Sequence, residues 1–198
     1  APGPDASREL LVVTGSADGT VRVWNGRSSE CRHVLQPPGA SGPGASVEAG
    51  VDATAPVGSD LVGGRNVHSV FPLHSPAGTM IVVSRSPRAF LMTLSGGVVR
   101  TFERDDGKTD GGDFVAAIVS PSNRWVYIST EDGLCCCFDV STGKIEKTIR
   151  GFAEESTGST GGGRTAEVTG LAHHPHKSLL AAYSNEKGQK RGLLTMWK

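Results

Sequence analysis

Three histidines close together, His173, His174 and His176, are the residues that most resemble metal ligands. A turn containing Pro175 lies among them, and no Cys or Asp stands nearby to complete a coordination shell, so they read as turn residues with no metal. Cys135, Cys136 and Cys137 are consecutive, so on a strand the first and third face one side and the second the other. With Cys31 remote, this is neither a disulfide framework nor a zinc site, and small buried hydrophobes are the expectation. The acidic run Asp105–Asp113 lacks both the alternating spacing and the closing Glu of a calcium loop. No GxxxxGK[ST], GxSxG, HExxH or helix-opening GxGxxG occurs, so no catalytic residue, cofactor or metal is assigned and no enzyme is expected.

The elements that would carry such residues are strands. Apolar and β-branched runs of four to seven residues alternate with Gly, Pro, Asp and Ser, and helical periodicity is weak, so the chain is all-β. The clearest unit is Leu10 to Trp24, a strand, an Asp18-Gly19 turn and a second strand ending on Trp24; Asp-Gly supplies the positive φ of a tight hairpin. The same order of strands and turns recurs. Val67, Phe114 and Val168 open equivalent strands about 47 and 54 residues apart, near the span of four-stranded propeller blades once insertions are removed. The expected organisation is a partial blade at 1–36, a low-complexity insertion at 37–66, blades at 67–103 and 114–150, a Gly/Ser/Thr-rich insertion at 151–167, and a last blade at 168–198 without its outer strand.

Two sets of residues carry a family resemblance. Ser16, Asp18 and Trp24 in the first unit, Thr130, Asp132 and Phe138 in the third, and Trp197 near the end place the chain among proteins that resemble the WD-repeat family. The resemblance implies a β-propeller in which such residues form hydrogen-bonded chains that fix each blade; here Phe138 stands where a Trp is expected. Gly111 to Phe114, in place of the usual Gly-His, and Ala172 to His176 are similar to the last blades of the Smu-type splicing factors. That family carries LisH and CTLH segments ahead of a seven-bladed propeller. The chain therefore corresponds to about three and a half blades, the C-terminal half, with the first blade lacking its innermost strand.

Function follows as expectation. The resemblance implies a non-catalytic protein-interaction scaffold of the nuclear, precatalytic spliceosome, with a RED-type partner bound through the N-terminal part. The 20 basic and 20 acidic residues cancel, which argues against a general nucleic-acid binder, and no apolar run approaches the length of a membrane helix. The long insertions fall on one propeller face. Its candidate partner contacts are Asp113, Glu131 and the basic loop residues Lys187, Lys190 and Arg191. The alternative is a substrate receptor for a cullin-type ubiquitin ligase, since Trp24-Asn25-Gly26-Arg27 approximates the WDxR motif of such receptors.

Overall fold

The computed structural model describes residues 10–38, 66–104, 112–150, 166–186 and 192–198. Among these residues fourteen strands form four antiparallel sheets and no helix occurs. The first sheet holds β1 (Leu11–Gly15), β2 (Val21–Asn25) and β3 (Cys31–Leu35). The second holds β4 (Val67–Leu73), β5 (Thr79–Ser84), β6 (Arg88–Thr93) and β7 (Val98–Glu103). The third holds β8 (Phe114–Val119), β9 (Trp125–Thr130), β10 (Leu134–Asp139) and β11 (Ile145–Arg150). The fourth holds β12 (Ala166–His173), β13 (Leu180–Glu186) and β14 (Gly192–Trp197).

Each sheet is a meander in sequence order, as short turns between alternating strands dictate. Its local irregularities repeat too. A bulge follows the first residue of β4 and of β8 and the third residue of β12, which places Val67, Phe114 and Val168 at one structural position. Another shifts the register at Trp24, Met92 and Phe138, so these three also correspond. The last hairpin is longer than its apolar run implied: β13 continues to Glu186, because Asn185 still pairs with Gly192 and Ala166 with Glu186.

Successive sheets pack face to face in the manner of propeller blades. Val21, Val23 and Leu35 meet Val67, Met80, Val82, Phe90 and Met92 between the first and second sheets. Ile81, Val83, Leu91 and Phe102 meet Phe114, Val126, Ile128 and Phe138 between the second and third, where Phe138 contacts Phe102 and Phe114 edge to face at 5.7 and 6.2 Å. Ala116 and Cys135 meet Val168, Leu180 and Ala182 between the third and fourth. Because both faces of the second sheet are covered, all six residues of β5 are buried, which explains its unbroken apolar run. Gly15 permits the first contact: a Cβ there would stand 2.6 Å from Val67 Cγ1. Gly143 turns β10 into β11 at φ 76°, where a Cβ would stand 2.8 Å from Arg100 Cδ.

Equivalent positions show what covers each face. Val21 in the first sheet, Ala89 in the second and Cys135 in the third are fully buried against the following sheet, whereas Leu194, at the same place in β14, is 65 % exposed. Met196 is 63 % exposed, although Val23 and Leu91 at its position are buried. On the opposite side Val12 is 44 % exposed, while Met80, Val126 and Leu180 at its position are buried. The outward faces of the first and last sheets are therefore built for sheet packing, and among the described residues nothing covers them. The 198-residue chain should self-associate at micromolar concentration. Leu194→Glu with Met196→Glu should reduce the multimeric fraction in analytical ultracentrifugation and leave the circular dichroism unchanged, whereas Val21→Glu at the equivalent buried site should unfold the protein.

Candidate docking surface

The meander fixes which turns share an end. The β1–β2, β5–β6, β9–β10 and β13–β14 connections lie at the end where β4, β8 and β12 begin and β7 and β11 finish. The β4–β5, β8–β9 and β12–β13 turns lie at the opposite end with the β2–β3, β6–β7 and β10–β11 turns. At the first end, backbone bonds join consecutive sheets: Val67 N donates to Ser16 O at 3.1 Å and Phe114 N to Ser86 O at 3.0 Å. Asp113 and Glu131, both expected at a partner surface, meet here. Glu131 N donates to Asp113 O at 3.0 Å, and Asp113 N to Glu131 Oε2 at 3.4 Å. Lys187, Lys190 and Arg191 lie outside the described residues.

Charge organises the same end. The Arg85 guanidinium donates through Nε (3.0 Å) and Nη2 to one oxygen of Glu131, linking the β5–β6 and β9–β10 turns of neighbouring sheets. Both side chains are substantially exposed, so this pair orients the turns more than it stabilises the fold. Arg104 Nη1 donates to Asp132 Oδ2 at 2.9 Å from a largely buried position, and Asp132 Oδ1 accepts the Thr130 hydroxyl. Arg104 and Arg85 were not singled out from the sequence. Aligning the repeats could have found Arg85, since it occupies in the second sheet the turn that Glu131 and Asp132 occupy in the third.

The expected hydrogen-bonded chains are only partly present. In the first sheet the Trp24 indole Nε1 donates at 2.9 Å to Thr14 Oγ1, not to Ser16. Asp18 instead accepts the Thr20 hydroxyl at 2.6 Å and the Thr20 amide at 2.8 Å, while its own amide donates to Ser16 Oγ at 3.3 Å. The Thr20 hydroxyl above all holds the Asp18 carboxyl below its ordinary range. The two halves do not connect, because Trp24 bonds across the strand pair to Thr14 while Asp18 bonds within its own turn to Ser16 and Thr20. In the third sheet the chain runs Arg104, Asp132, Thr130 and stops at Phe138, whose ring has no donor and packs against aromatics. Trp197 packs in the cluster between the third and fourth sheets.

The opposite end is held by side-chain caps. Asp139 Oδ1 accepts from the amides of Ser141 (2.8 Å) and Thr142 (3.0 Å) and from the Ser141 hydroxyl. Asn25 does the same at the equivalent turn, accepting from the amides of Arg27 (2.9 Å) and Ser28 (3.2 Å), and leaves Arg27 exposed. The histidines serve their own turn: His173 Nδ1 donates to His174 O at 2.7 Å, and His174 Nδ1 accepts from His176 N at 3.0 Å. Among the described residues no group of His, Cys, Asp or Glu could hold a metal ion. Cys136 faces the second sheet and Cys135 the fourth, as strand alternation requires, and burial pushes the Cys135 thiol up to about 12.

Comparison with known proteins agrees with this architecture. The family described as WD domain, G-beta repeat matches residues 4–25. The chain is also 23 % identical over 190 residues to a protein of Dictyostelium discoideum named WD40 repeat-containing protein smu1. The match covers 96 % of this chain, which spans 28 % of that relative's length. The fold is a partial WD β-propeller, and the resemblance to Smu-type proteins read from Gly111–Phe114 and Ala172–His176 extends along almost the whole chain.

In the native protein a thiol reagent at pH 8 should label Cys31, which is exposed, and reach Cys135, Cys136 and Cys137 only after denaturation. Acid should weaken the fold through Asp139. The Ser141 hydroxyl first, with the Ser141 and Thr142 amides, holds its carboxyl below the ordinary value. Its contribution is therefore present above the unfolded pKa and is lost as pH falls through the folded one. Urea melts of Asp139→Asn should show lower stability at neutral pH and a smaller further loss on acidification than the parent protein.

Proposed function

We propose that this chain is part of a non-catalytic WD-repeat scaffold that docks proteins in the precatalytic spliceosome and works in the nucleus. The observation that carries the reading is the reach of the similarity, 190 residues and 96 % of the chain, to a protein named smu1. The similarity runs through almost the whole chain and is not confined to one repeat. Residues Gly111–Phe114 and Ala172–His176, which depart from ordinary WD repeats, support the same assignment. The docking surface in this reading is the end carrying Arg85, Asp113 and Glu131, whose turns are cross-linked between sheets and so present a pre-organised polar rim. Lys187, Lys190 and Arg191, which follow β13 in the sequence, remain further candidate partner contacts in this reading. The RED-type partner would be held by the N-terminal part of the full-length protein.

Affinity purification of the tagged full-length protein from nuclear extract should recover precatalytic spliceosomal proteins, and Glu131→Arg should deplete a subset of them. Recovery of a cullin adaptor without spliceosomal proteins, lost on Arg27→Ala, would replace this reading with that of a ubiquitin-ligase receptor.

A further inference from the structure

Among the described residues the ion pairs are distributed unevenly between the two ends. At the end described above, cations are matched: Arg22 lies 3.9 Å from Asp18, Arg85 pairs with Glu131, Arg88 lies 2.9 Å from Glu103 and Arg104 lies 2.9 Å from Asp132. At the other end the turns of the third and fourth sheets carry Arg124, Lys144 and Lys177, with Lys198 following β14. Arg124 reaches Asp139 at 3.9 Å, but that carboxylate already caps its turn. Among the described residues Lys144, Lys177 and Lys198 have no carboxylate within ion-pair distance.

Aromatic rings lie among these cations. The Arg124 guanidinium sits over the Trp125 ring, 4.6 Å from its centroid. Trp125 and Tyr127 share one face of β9, and the Tyr127 ring lies 5.7 Å from that of His173 at 33°. The neighbouring turns are tied together: Val140 N donates to Arg124 O at 2.9 Å and Asp139 N to Lys144 O at 3.0 Å. Arg124, Trp125 and Lys144 are thus presented by one rigid pair of turns, and His173 leads through His174 and His176 to Lys177.

We propose that this end of the third and fourth sheets binds single-stranded RNA without reading its sequence. Arg124, Lys144, Lys177 and Lys198 would neutralise phosphates, and bases would stack on the Arg124–Trp125 platform. An acidic peptide would use the cations alone and leave the Arg124–Trp125 pair without a stacking partner, so a polynucleotide is the better fit. The choice of RNA over DNA rests on the splicing reading. The surface itself does not, and its binding is measured without any spliceosomal partner.

The test is fluorescence anisotropy of the full-length protein with an oligouridine of about twelve nucleotides. Binding should be saturable, with log K falling against log salt at a slope of about −3, as about four neutralised phosphates require. Lys144→Glu with Lys177→Glu should weaken it at least about tenfold, while Arg88→Glu at the other end should leave it within about twofold. These side chains are exposed, so melting temperatures should hold; if the double variant does not fold, Arg124→Gln and Lys198→Glu singly should each weaken binding. Absence of saturable binding, equal loss in Arg88→Glu, or displacement of the RNA by an oligoglutamate peptide at matching concentration would overturn the proposal, the last in favour of an acidic protein partner.

Discussion

A β-sheet that is apolar on both faces has to be covered on both, and the rest of this protein follows from that requirement. Ile81, Val83 and Leu91 point one way from the second sheet while Met80, Val82, Phe90 and Met92 point the other. Strand alternation supplies the two faces, and stacking of successive sheets buries them. The third sheet repeats the pattern with Ile128 and Cys136 on one side and Ala116 and Cys135 on the other. Gly15 is small because the first and second sheets approach too closely for a side chain there. The exposure of Val12, Leu194 and Met196 is the same requirement seen where it is not met among the described residues.

Sheet packing relieves the polar networks of much of their structural duty. A buried hydrogen-bonded chain specifies geometry where apolar contact is ambiguous. Here the third sheet replaces the indole end of that chain with Phe138, held edge to face between Phe102 and Phe114. The polar remainder, Thr130 and Asp132, stays at the turn and takes Arg104 as its cation. Arg85 and Glu131 then connect that turn to the preceding sheet, so residues freed from the core organise the surface instead.

The two ends of the stack differ in how they use side chains. One end locks its turns with ion pairs between sheets and backbone bonds such as Phe114 to Ser86. The other caps its turns with their own side chains, Asn25, Asp139 and His174, joins turns through Val140 N to Arg124 O and Arg100 Nη1 to Thr142 O, and leaves Lys144, Lys177 and Lys198 exposed. A rim that is satisfied internally and an end that is not are different surfaces, although they belong to one set of strands.

Much of this was legible from the order of residues alone. The strands and turns, the equivalence of Val67, Phe114 and Val168, and the opposed faces of Cys135 and Cys136 all depend on local periodicity, which a sequence states directly. Pairing extended β13 beyond its apolar run, because ladder bonds do not require apolar side chains. The acceptor for Trp24 was decided across the β1–β2 pair, where Thr14 rather than Ser16 lies within reach. Arg104 and Arg85 gained their roles from residues 28 and 46 positions away, and no periodicity encodes such a distance. The uneven distribution of the described ion pairs between ends was hidden for a related reason, because composition counts charges and only the alternating direction of strands sorts them. Sequence by itself determined what each strand is and which way its residues point; tertiary structure decided which strands' ends come together, because that depends on stacking whole sheets rather than on neighbours in the chain.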